Sequence, residues 1–199
     1  MENLKSFKSF NGRKGPLVLV IMDGVGLNPS ETGNAVAAAR TPVLDRLMKE
    51  CLNKKLRAHG TAVGLPSDSD MGNSEVGHNA IGAGRVFDQG ARLVNQAIES
   101  GSLWQGRTWK KLIGNCLDKK GTLHFIGLFS DGNVHSHLDH LRAMLLKARD
   151  QGIKRARIHI LLDGRDVGET SALDYIIPFE IFLKEINASG ADYAVASGG

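Results

Sequence analysis

Residues 122–137, TLHFIGLFSDGNVHSH, decide the fold. The apolar run 122–129 has the length and Leu/Phe/Ile content of a β-strand. It breaks off at Ser130-Asp131-Gly132-Asn133, which is turn chemistry, and a helical pattern takes over near His137 and runs to about residue 150. The same rhythm recurs downstream: a strand over 157–162, the turn Asp163-Gly164-Arg165-Asp166, a helix over 171–187, and a strand over 192–196. Strands alternating with helices predict an α/β fold with a parallel sheet, whose ligand-binding loops gather at the carboxyl ends of the strands. His124 and His159 lie inside apolar strands and are expected as hydrogen-bonded core histidines. Pro178 falls within the last helical pattern and should kink or divide it.

Working back toward the N-terminus, Thr108 is expected to cap a helix with the stripe Trp109, Leu112, Ile113, Cys116 and Leu117, ended by Gly121. A helix over 90–100 carries Leu93, Val94, Ala97 and Ile98 on one face, with Gly101 to stop it. Residues 56–63 suggest a short strand. Thr41-Pro42 starts a helix whose expected buried stripe is Val43, Leu44, Leu47 and Met48. The run LVLVIM, residues 17–22, is continuously apolar, as in a strand covered on both faces, and ends in Asp23-Gly24.

Chemistry concentrates in three loops. Residues 65–85, LPSDSDMGNSEVGHNAIGAGR, surround Ser74 with closely spaced glycines and turn the chain into a helix beginning near Glu75. The amides that open such a helix favour an anion beside the Ser74 hydroxyl. The plainer reading is a polar surface loop with a capping serine. Asp23, at the end of an expected strand, is a candidate metal or substrate contact. The loops 130–137 and 163–166 would face one crevice, offering imidazoles and a guanidinium; Arg165 suits a carboxylate or phosphate, and Asp166 a substrate hydroxyl or a histidine. The plainer reading of both is turn formation. The cluster His135, His137, Asp139 and His140 is a weak metal pattern. Gly82-Ala83-Gly84 lacks the third glycine of a dinucleotide fingerprint.

The 199 residues carry a formal charge of +4 with dispersed basic residues, so neither nucleic acid nor membrane binding follows. No apolar run reaches the roughly 18 residues of a membrane span, and no secretory signal is evident, which makes the cytoplasm the expected compartment. Cys51 and Cys116 stand far apart without a CxxC pattern and are expected as core thiols.

In order along the chain, VIMDGVGL, HGTAVGLPSDSDMGNSEVGHNAIGAGR, LFSDGNVHSH, LLDGRDV and VASGG resemble the motifs of cofactor-independent phosphoglycerate mutases, metal-dependent enzymes related to alkaline phosphatases. The resemblance implies a basic tail over 1–14. Residues 15–92 would be the first segment of a phosphatase-like, metal-binding domain with a partial alkaline-phosphatase-like parallel sheet. Residues 93–199 would be the N-terminal part of an inserted α/β transferase domain. It implies interconversion of 3-phosphoglycerate and 2-phosphoglycerate in glycolysis and gluconeogenesis, with two Mn2+ ions and a phosphoserine intermediate. Ser74 would be the nucleophile and, with Asp23, a ligand of one manganese; His135, Arg165 and Asp166 would hold the substrate. The remaining metal ligands of the family have no counterpart in this sequence, so a complementing C-terminal chain is an expected partner. The alternative is an inactive remnant that keeps only part of the clamp. Asn133 stands where the family usually has glycine, a position open to asparagine because it tolerates left-handed backbone.

Overall fold

The structure is a computed structural model that describes residues 8–199, and the chain divides into one unit up to Lys54 and a second from Lys55 to Gly199. In the first unit, α1 (Ala35–Ala38) is capped by Asn34, whose side-chain oxygen accepts from Ala37 N at 3.2 Å. Helix α2 (Pro42–Glu50) begins as its proline predicts. The Thr41 hydroxyl donates to Asp45 Oδ1 at 2.9 Å instead of capping the backbone.

Two expectations fail in this unit. Residues 17–22 form no strand, and their side chains are open, Leu17 at 91% and Val20 at 73%. An apolar run becomes a strand only where a second strand takes up its amides and carbonyls. No strand lies beside it among the described residues of this unit. Likewise Val43, Leu47 and Met48 on α2 are exposed and Leu44 is half-buried. Two short helices offer too little surface to cover them. Cys51 is exposed, not a core thiol; Cys116, in the second unit, is half-buried.

The second unit opens with extended chain and a 3-10 turn, Gly60–Val63, where a strand over 56–63 was expected. Helices α3 (Ser74–Ala83), α4 (Gly90–Glu99), α5 (Ser102–Gln105) and α6 (Arg107–Asp118) follow. Gly101 at φ 74° separates α4 from α5. The cap of helix α6 lies two residues before the expected Thr108, at extended Gly106, so the helix starts at Arg107. Its buried residues are Trp109 and Ile113, while Leu112 and Leu117 remain exposed.

The expected rhythm then appears: β1 (Leu123–Phe129), α7 (Leu138–Asp150), β2 (Arg155–Leu162), α8 (Ala172–Asn187) and β3 (Asp192–Gly198). The strands pair in parallel in the order β1-β2-β3. Pro178 does not divide α8, which stays one helix anchored by buried Phe179, Leu183 and Ile186. One core cluster joins these with Trp109 and Ile113 of α6, Leu145 and Ala148 of α7, and Ala156, Ile158, Ile160 and Tyr193 of the sheet. Each of the larger side chains among them, the leucines, isoleucines and phenylalanine, contributes about 1.5–3 kcal/mol when removed from water. The helices therefore cover one face of the sheet. On the other face Ile126 is 75% and Leu161 48% exposed.

His124 and His159 belong to that open face. Their rings stack, with His124 Nδ1 2.9 Å from His159 Nε2, and His159 Nδ1 lies 2.7 Å from Ser197 Oγ. They are hydrogen-bonded, as expected, but they are not core residues. The side-chain period of two in a strand sends them away from Ala156, Ile158 and Ile160.

Candidate active site: the serine turn and the clamp loops

The turn that carries Ser74 is held by its own carboxylates. Asp68 Oδ1 accepts from Thr61 N at 3.0 Å and from the Thr61 hydroxyl, and these bonds hold its carboxyl below the usual range. Asp70 Oδ2 accepts from Ser67 N at 2.6 Å and Ser67 Oγ at 2.8 Å. The backbone then passes so close to Ala58 that a Cβ on Gly72 would stand 1.9 Å from the Ala58 carbonyl oxygen, so only glycine fits there. Asn73, not Ser74, caps α3: its Oδ1 accepts from Val76 N at 3.0 Å. Ser74 becomes the first residue of the helix, with an exposed side chain whose hydroxyl is not spent on the cap.

The two loops at the carboxyl ends of β1 and β2 meet, as parallel strands require. Gly132 lies against Asp166 so closely that a Cβ there would be 2.7 Å from Asp166 Cβ. Asp163 Oδ1 accepts from Arg165 N at 2.9 Å and Asp166 N at 3.1 Å, shaping the second loop. The neighbouring Ser130 hydroxyl and these amides keep the Asp163 carboxyl below the usual range. The first loop is tied by Leu138 N to Ser130 O at 3.0 Å, by the Ser136 hydroxyl donating to Leu128 O, and by the Tyr175 hydroxyl donating to Asp131 Oδ1 at 2.8 Å. His135 and Arg165 are exposed and Asp166 is half-buried.

His137 caps α7, its Nδ1 accepting from Asp139 N at 3.1 Å. His140, one turn on, pairs through Nε2 with Asn95 Oδ1; burial, aided by nearby His137, pushes its pKa down. Among the described residues no group of three or more His, Cys, Asp or Glu side chains converges as a metal site. Asp23 sits in a turn of the first unit and Ser74 in the second. Two such donors do not complete a divalent-metal site.

The serine turn and the first clamp loop are joined by a contact that the sequence did not announce. Asn133 Nδ2 donates to Asp70 Oδ1 at 2.7 Å. Burial works to raise the Asp70 carboxyl, but the bonds from Asn133 and Ser67 outweigh it and hold the carboxyl below its usual value. Asn133 has φ 58°, the left-handed backbone its residue type tolerates. A cleft of about 420 Å3 lies beside the contact, lined by Ser67, Asp70, Asn95, Asn133, His137 and His140. The one available signal was asparagine in place of glycine, and it says nothing about a partner 63 residues away.

Comparison with known proteins agrees with the motif order. The family described as "BPG-independent PGAM N-terminus" matches residues 94–198. A Leptospira interrogans protein named "Probable 2,3-bisphosphoglycerate-independent phosphoglycerate mutase" is 52% identical over 198 residues, covering 98% of this chain and 36% of that protein. The 2,3-bisphosphoglycerate-independent phosphoglycerate mutase of Zea mays is 48% identical over 185 residues, 92% of this chain and 33% of its own length. A crystal structure of Leishmania mexicana phosphoglycerate mutase at low cobalt concentration superposes with a TM-score of 0.81 at 47% identity, over 90% of this chain and 33% of that one. The chain thus spans about a third of the length of these relatives. With more than half of its residues matched by the family and the serine turn and clamp motifs in family order, the chain belongs to the 2,3-bisphosphoglycerate-independent phosphoglycerate mutases.

Proposed function

We propose that this chain is the serine-bearing and substrate-clamping part of a metal-dependent phosphoglycerate mutase that interconverts 3-phosphoglycerate and 2-phosphoglycerate. The observation that carries the reading is the meeting of the serine turn with the clamp loops at Asp70 and Asn133, in a chain 52% identical to a mutase. Residues 15–92 belong to the phosphatase-like part and 93–199 to the inserted transferase part. Ser74 Oγ gives up its proton and attacks phosphorus: the Oγ–P bond forms as the substrate O–P bond breaks, and the departing glycerate oxygen takes up a proton in exchange. The other glycerate hydroxyl then attacks the phosphoserine, loses its proton and regenerates Ser74.

Between the two transfers the glycerate must stay bound and turn, since its escape leaves a phosphoserine open to water. Arg165 grips the carboxylate or phosphate, His135 contacts the substrate at the loop tip, and Asp166, fixed against Gly132, accepts from a glycerate hydroxyl. The alignment of α3 favours the phosphoryl group beside Ser74. Asp23 and Ser74 would hold the metal, Mn2+ in this reading, together with ligands from a complementing C-terminal segment, and once bound it would activate the Ser74 hydroxyl and draw charge from the phosphoryl oxygens. No helix among the described residues is long and apolar enough to cross a membrane, which accords with action in the cytoplasm on small polar substrates.

The test is a coupled assay for 2-phosphoglycerate formation from 3-phosphoglycerate with Mn2+. It is run on the 199-residue chain alone and mixed with a chain supplying the remainder of the Leptospira relative. Activity in the mixture that disappears with Ser74→Ala, together with acid-stable phosphate on Ser74, is the expected result. A mixture that assembles but turns nothing over would make the chain a remnant.

A further inference from the structure

We infer that Asn133 and Asp70 form a latch, a pair of positioning residues that holds the Ser74 turn in register with the substrate-clamp loop. The inference rests on the roles proposed above for Ser74 and for His135, Arg165 and Asp166. Each half of the latch is anchored independently of the other. Asp70 presents Oδ1 to Asn133 while Oδ2 takes the amide and hydroxyl of Ser67, and its backbone carbonyl accepts from Gly60 N at 3.1 Å. Asn133 sits between Gly132, packed on Asp166, and Val134, with its own backbone in the left-handed region.

Little slack separates the latch from the residues it would position. Between Asp70 and Ser74 the chain passes the tight Gly72–Ala58 approach and the Asn73 cap. Between Asn133 and His135 there is a single residue. A displacement of the serine turn from the clamp therefore has to break a 2.7 Å bond from an amide to a carboxylate, stronger than one between neutral groups. A glycine at 133 offers the same backbone and no bond.

The test uses hydrogen exchange of the backbone amides of Val76 and Gly77, which donate to Asn73 Oδ1 and to the Asn73 carbonyl, in the 199-residue chain at pH 7. Asn133→Gly keeps the left-handed backbone available and so removes the side-chain amide without backbone strain. Asn133→Asp places a carboxylate opposite Asp70, and the double exchange Asp70→Asn with Asn133→Asp restores a donor and an acceptor in reversed order. Each single variant is expected to speed exchange at Val76 and Gly77 about tenfold, the loss of one charge-assisted bond. The reversed pair should return it to within about twofold of the parent, a rescue that a general packing defect would not show. Unchanged exchange in Asn133→Gly, or no recovery in the reversed pair, overturns the latch. In the mixture with the chain that supplies the remainder, added 3-phosphoglycerate should slow exchange at Val76 and Gly77 in the parent and not in Asn133→Gly. If the ligand-free differences appear and 3-phosphoglycerate alters nothing in the parent, the mutase reading fails while the latch stands.

Discussion

Tyr193→Phe should reverse its effect on stability as the pH is raised. Tyr193 is 1% exposed on the covered face of β3, and its hydroxyl donates to the Ile153 carbonyl at 3.0 Å. Near neutral pH the variant loses that bond and leaves a buried carbonyl without this donor, at a cost of about 1–2 kcal/mol. Burial also pushes the tyrosine pKa from 10.0 up to about 12. The folded state therefore holds the phenolic proton more tightly than the unfolded chain does. This contribution is complete below the unfolded pKa and is lost as pH rises toward 12, about 1.4 kcal/mol of it by pH 11. Phenylalanine has no proton to lose. The parent should be the more stable protein at pH 7, the two should converge near pH 11, and the variant should be the more stable above it. Urea unfolding of both proteins from pH 7 to 11.5 measures the difference, and lysine and cysteine titrations common to both cancel in it. A difference that stays constant across that range would refute the assignment of the alkaline loss to Tyr193.

Other perturbations address the clamp and the sheet edge. Gly132→Ala would put a Cβ 2.7 Å from Asp166 Cβ and 3.0 Å from its carbonyl oxygen, so the two clamp loops must separate. We expect affinity for 3-phosphoglycerate, measured by calorimetry, to fall about tenfold or more, as overpacking costs about 1–3 kcal/mol. Unaltered affinity would show that the loops do not act together. Arg157 Nη2 donates to Asp192 Oδ2 at 2.7 Å and holds that carboxyl below 3.8. Because the folded pKa is depressed, this stabilisation is present above pH 3.8 and is lost as pH falls through the folded value. Arg157→Ala should therefore move the Asp192 carboxyl titration, followed by carbon NMR, up toward the ordinary value; an unmoved titration would exclude the pair as its cause.

The strand–helix rhythm from residue 122 onward was legible because both periods are local: β1, α7, β2, α8 and β3 fall within a few residues of their expected places. Their parallel pairing followed from the alternation. The helix that begins at Ser74 was legible too, although the cap passed to Asn73, whose side chain reaches Val76 N. The strands expected at 17–22 and 56–63 failed for one reason. Apolar sequence establishes a preference for burial, whereas a strand also needs a neighbour, and that is a property of the assembled chain.

By itself the sequence determined the motifs, their order, and therefore the family and the residues expected to react or bind. It also determined the backbone freedom at Asn133. Only the tertiary structure decided which face of the sheet is covered, and so that His124 and His159 belong to the opposite face, His124 exposed and His159 half-buried. It alone brought Gly132 against Asp166 and Asn133 onto Asp70. The physical reason is the range of the interactions: propensity, capping and turn formation act over a few residues, whereas these contacts join residues far apart in sequence that only the packed chain brings together.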